Sequence, residues 1–142
     1  MATTTLTLAF KQNCFLATLD FANDAFRWAL YDGSGHDHTQ GVYTATAEVP
    51  NGSGYTTGGV LGAGEAAGND SGSNTAWYDW TTDPQWTASS IDATDMMLYD
   101  DTSGTNISVG IYDFGGTRST SSGTFNAILP AAAATTAIVR IA

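Results

Sequence analysis

Residues 106–114 read NISVGIYDF, and in this run Ile107, Val109 and Ile111 alternate with Ser108, Gly110 and Tyr112. A period of two belongs to a strand with one face turned to a core. Working outward, comparable short runs occupy residues 76–81, 90–99, 123–129 and 136–141. The segments between them, TTDPQ, DDTSGT, GGTRSTSSG and PAAAA, are rich in turn formers. AFRWALY at residues 25–31 sets Phe26, Trp28 and Leu30 against Arg27, Ala29 and Tyr31, which predicts another strand with both faces partly apolar. Upstream, Leu6, Phe10, Cys14, Phe15/Leu16 and Leu19 recur at steps of three or four and predict a helical stripe capped by Thr5 or Thr7. The expected fold is mainly β: an antiparallel β-sandwich or small barrel with one N-terminal α-helix, in a single domain over residues 1–142. No internal repeat with matching residues is present.

The remaining segments read as connections. DGSGHDHTQG at residues 32–41 is a loop by composition, and residues 62–75, GAGEAAGNDSGSNT, predict an exposed, flexible loop. YTATAEVPNGSGYTTGG at residues 43–59 contains a strong turn signal in PNGSG, since Pro50 fixes φ and Asn51, Gly52 and Gly54 tolerate left-handed backbone. Val49 should close one ordered segment and Tyr55 open the next, with Tyr43 and Tyr55 as packing anchors. Residues 1–7 suit an extended N-terminal arm in which Thr3, Thr4 and Thr5 pair with a neighbour's sheet edge.

Charge narrows the partners. Four Lys and Arg against fourteen Asp and Glu give a formal charge of -10. DNA and anionic membranes repel such a surface, so neither nucleic acid nor membrane is an expected partner. No stretch approaches the roughly 20 apolar residues of a membrane span, and MATTTLTLAF lacks the features of a leader, so the cytosol is the expected place of synthesis. Cys14 is the sole cysteine, leaving no intrachain disulfide, and its place on the helical stripe predicts a small core residue.

The chemistry-bearing candidates are few. His36, Asp37 and His38 are ligand types for zinc, but they lie in a Gly-rich loop without a third ligand at a recognisable spacing, and an exposed loop is the preferred reading. Asp32, Ser34 and Asp37 lack the acidic series and distal Glu of a calcium loop. No Ser stands in a Gly-x-Ser-x-Gly elbow, no Gly cluster precedes Lys-Ser or Lys-Thr, and no pair of carboxylates is singled out by spacing. Neither catalysis nor a cofactor is expected. WYDWTTDPQW offers Trp77, Trp80 and Trp86 either as a carbohydrate platform or for core and subunit packing. Trp77 and Trp80 are three apart and fall on opposite strand faces, which favours packing.

Several motifs occur together: Phe10-Lys11 in the helix, Ala29-Leu30-Tyr31 closing a strand, YTATAEV at 43–49, GYTTGG at 54–59, the Trp77 and Trp86 region, DFGG at 113–116, and the closing LPAAAATTAIVRIA. In this combination, which covers nearly the whole chain, the sequence resembles a family of small structural proteins of tailed bacteriophages. It departs from that outline in the loops at residues 32–39 and 62–75. The resemblance implies a virion component assembled in the host cytoplasm, foremost a capsid decoration or cement protein on the major capsid protein, working as a homo-oligomer such as a trimer. A tail, collar or fibre-adaptor subunit and a glycan-binding module for host adhesion are the alternatives.

Overall fold

The computed structural model describes residues 3–102 and 104–142, for Thr3 the backbone alone. The fold is an antiparallel β-sandwich with one short N-terminal helix, and its sheets do not close into a barrel. In chain order the elements are β1 (Thr3–Leu6), α1 (Leu8–Phe15), β2 (Phe26–Tyr31), β3 (Val60–Leu61), β4 (Glu65–Asp70), β5 (Thr75–Trp80), β6 (Gln85–Ser89), β7 (Asp92–Asp100), β8 (Ser108–Ser119), β9 (Gly123–Asn126) and β10 (Val139–Ile141). They form a five-stranded sheet in the order β1-β8-β7-β2-β3, a three-stranded sheet β10-β5-β4, and a ribbon of β6 with β9.

NISVGIYDF supplies most of β8, an inner strand between β1 and the central β7. Tyr112 joins Trp28, Leu30, Met96 and Leu98 on the face that meets Trp80, Trp86 and Phe125, while Ile111 joins Ala29, Tyr31, Met97 and Tyr99 on the other. An extra residue at Val109, where the register shifts between Leu98 and Tyr99, returns that side chain to the first face. Burial on both faces explains why β2 is apolar at nearly every position. The second face is covered by the segment after β2, where His36 meets Tyr31 edge-on at 4.6 Å and Tyr43 stacks on Tyr99 at 4.5 Å. The aromatic rings of the core meet mainly edge to face: between the layers Trp28 lies 5.8 Å and Phe26 5.4 Å from Trp80, and within the five-stranded sheet Trp28 lies 5.2 Å from Tyr112. Gly59, at φ +72, lets the turn before β3 press on β2, because a Cβ there would lie 1.7 Å from the Trp28 carbonyl oxygen.

Five expectations need correction. Residues 62–75 are not one continuous loop: they are largely exposed, but residues 65–70 form β4, which pairs with all of β5, from Glu65 opposite Trp80 to Asp70 opposite Thr75. Its Ala and Gly residues hide the period, and Gly68 is needed because a Cβ would meet the Trp77 ring at 2.4 Å. The helix is shorter than the stripe over residues 6–19, since Leu6 belongs to β1 and Leu19 packs on the core beyond the helix end. Cys14 is exposed rather than buried. The segments TTDPQ and GGTRSTSSG are partly strand: Gln85 opens β6, and β8 continues to Ser119 past a bulge at residues 114–117, where Gly115 and Gly116 take positive φ. The described part of the N-terminal arm, Thr3 to Leu6, pairs with this chain's own β8, Thr3 opposite Asp113. Met1 and Ala2 lie outside the described residues.

Candidate functional site

The Thr7 hydroxyl sets the direction of α1. Its Oγ1 accepts the Phe10 N–H at 3.1 Å and donates to the Ser108 carbonyl at 2.6 Å, so the helix start is fastened to β8. Phe10 is the one fully buried residue of the helix. With that ring turned inward, the other apolar residues turn out: Leu8 is 53% exposed, Phe15 90% and Leu16 63%. The helix lies beside β5 and β10, and a shallow cavity of about 220 Å³ between them is lined by Phe10, Cys14, Phe21, Trp77, Val139 and Ile141. Ile141 is itself 63% exposed. Although Cys14 is exposed at the surface, partial desolvation where its side chain lines this cavity holds the thiol above its usual pKa, so it contributes apolar sulfur rather than thiolate. These exposed apolar residues are the candidate interaction sites of the molecule.

The three tryptophans singled out by sequence separate. Trp80 and Trp86 are core residues, fully and almost fully buried. Trp77, on the opposite strand face from Trp80, is half-buried on the apolar surface, with one side of its indole laid against Gly68. Any carbohydrate stacking is therefore reduced to the outer face of one ring. Thr4 and Thr5 stand on β1 at the sheet margin. Sequence reading missed Phe15, Leu16 and Ile141, because steps of three and four announce an apolar stripe without saying whether this chain covers it.

His36, Asp37 and His38 diverge. Burial lowers the pKa of His36 against the opposing pull of Asp95 and Asp37, so the ring is neutral at pH 7 and its 3.8 Å approach to Asp95 is no full ion pair. Asp95 is already engaged, accepting from Ser34 Oγ at 2.6 Å and Thr94 Oγ1 at 2.8 Å. Asp37 turns to Thr39, accepting from its N–H at 2.7 Å and its hydroxyl at 2.6 Å, and these bonds lower its pKa. His38 is exposed. Among the described residues no three His, Cys, Asp or Glu side chains converge as a metal site.

Glu48 organises the 43–59 segment. Its carboxylate accepts from Tyr43 Oη, Tyr55 Oη and the Gly58 N–H, each at 2.6 Å, and the Tyr55 hydroxyl also accepts the Leu30 N–H at 3.0 Å. PNGSG forms the expected reversal, with Gly52 and Tyr55 exchanging both backbone bonds at 2.9 Å. The site is structural, since Tyr55 is 2% exposed and presents no free group. Comparison with protein-family models, curated proteins and solved structures finds no match to this chain.

Proposed function

We propose that this chain is a structural protein of a bacteriophage virion, a decoration or cement protein that binds the outer surface of the major capsid lattice and stabilises the head by binding energy alone. The observation that carries the reading is the set of uncovered apolar side chains at the end of α1 and on β10: Phe15 and Leu16 face solvent, and so does Ile141, which borders the Trp77 cavity. Burying one such side chain against a partner is worth about 1.5–3 kcal/mol. Repetition over a symmetric lattice turns a modest contact into firm attachment. The charge of -10 keeps the remaining surface soluble and directs docking to neutral or basic patches. The motif combination that includes GYTTGG, DFGG and AIVRI, read in the sequence as a resemblance to small phage structural proteins, supports the same reading.

Immunogold labelling of purified particles tests it. Label over heads is the expected result, label confined to tails would favour a tail or collar subunit, and absence from particles overturns a virion role. Phe15→Ser should leave the melting temperature of the isolated chain unchanged, because the ring is 90% exposed, yet lower occupancy on particles severalfold. Unchanged occupancy would move the docking surface elsewhere.

A further inference from the structure

Arg27 bonds Asp101 at 2.7 Å, and among the described residues no other Lys or Arg approaches a carboxylate within ion-pair distance. That is unexpected in a chain with fourteen acidic residues. Two of the unpaired cations, Lys11 and Arg140, line one groove of about 690 Å³ together with His38. This volume lies within the roughly 300–1,000 Å³ typical of ligand sites. Thr4, Thr5 and Thr136 also line the groove, and no Asp or Glu does. The Arg140 guanidinium itself is tethered, its Nη1 donating to the Thr135 carbonyl.

The walls of the groove are strand margins. β1 pairs only with β8 and β10 only with β5, so each has an open edge. The Thr7 N–H donates to Val109 at 3.0 Å. By strand alternation Thr5 also directs its backbone groups to β8, and those of Thr4 and Leu6 point away from it. The groove therefore combines the outward backbone donors and acceptors of Thr4 and Leu6 with two cationic side chains and an imidazole, in a molecule that is acidic overall.

We propose that the groove between β1 and β10 is a docking site for an extended acidic segment of a partner protein, which adds to the β1 edge and sets its carboxylates against Lys11, Arg140 and His38. Edge addition supplies affinity through the main chain, and the cations select for acidic side chains. The inference goes beyond the virion reading, stands on charge and strand geometry, and holds for a capsid, tail or soluble partner alike.

Calorimetric titration of the isolated chain with a blocked peptide of alternating Asp and Val tests it, with alternating Asn and Val as the neutral control and inorganic phosphate as the small-anion control. At about 0.02 M salt the Asp peptide should bind roughly tenfold tighter than the Asn peptide, an advantage that should vanish near 0.5 M salt. Lys11→Gln, an exposed helix position, should weaken the Asp peptide about two- to fivefold without lowering the melting temperature, and adding Arg140→Gln should weaken it further. Equal binding of the two peptides, no binding of either, or an unchanged affinity in Lys11→Gln overturns the proposal. Phosphate displacing the Asp peptide at equal concentration would also overturn it, because the groove would then hold a small oxyanion rather than a strand.

Discussion

The Glu48 carboxylate meets three donors at 2.6 Å and ties two tyrosines and the Gly58 amide into one turn of chain. Hydrogen bonds to a charged group contribute about 1.5–3 kcal/mol each when water is excluded, and less at a half-exposed site. Glu48→Gln keeps one acceptor oxygen but sets an amide donor against a hydroxyl, and should cost about 1–2 kcal/mol. Glu48→Ala should cost about 2–4 kcal/mol. Tyr55→Phe should destabilise more than Tyr43→Phe, since Tyr55 Oη also satisfies the buried Leu30 N–H. Urea unfolding of the four variants checks the order, and equal costs for the two tyrosines would refute the part assigned to Leu30. The sequence marked Tyr43 and Tyr55 as anchors, because large rings flanking a turn must pack somewhere. It did not mark Glu48, because a lone Glu near a Pro looks like any solvated turn residue.

At the scale of elements, α1 depends on its first residue more than on its apolar stripe. Helices of eight residues are marginal in water, so tertiary fastening decides whether this one forms. Thr7→Ala removes both the cap to Phe10 and the bond to Ser108, and should cost about 1.5–3 kcal/mol. Thr7→Val, which keeps the shape, should cost nearly as much. Hydrogen exchange would follow the Phe10 amide, whose protection should fall with global stability; a neutral Thr7→Val would assign the effect to packing instead. The β4–β5 hairpin makes the converse point about legibility. Its second strand was readable from Trp and Tyr, whereas EAAGND carried no signal, because its small residues suit a strand only once the Trp77 ring lies across Gly68.

Across the whole molecule all six tyrosines have pKa values raised by burial, Tyr99 pushed up to about 12 and Tyr31, Tyr43, Tyr55, Tyr78 and Tyr112 also upward. The unfolded chain ionises its tyrosines near pH 10 while the folded chain holds their protons, so above that pH the native state binds more protons than the unfolded one. The stability they contribute is fully present below about pH 10 and is lost as pH rises beyond it. Each fully protected hydroxyl contributes up to about 1.4 kcal/mol per pH unit, less for the partly exposed rings. A sharp, joint rise of tyrosinate absorbance and loss of circular dichroism above about pH 11 is expected. A smooth tyrosine titration centred near pH 10 with the fold intact would contradict this burial.

The amino-acid order alone determined the class of fold: the period of two in NISVGIYDF and FRWALY, the turn at PNGSG, a helix start at Thr5 or Thr7, and a strongly acidic overall charge. These are local properties, fixed by backbone preference and by the alternation of side chains across a strand. Tertiary structure decided which apolar residues are covered. Trp80 and Trp86 were drawn into the core while Phe15, Leu16 and Ile141 were left outside, and Thr3 to Leu6 found a partner strand in their own chain. Tertiary structure also brought Lys11, His38 and Arg140, far apart in sequence, to one groove between two strand edges. Burial and charge clustering depend on which elements meet, and that is settled only when the layers close on one another.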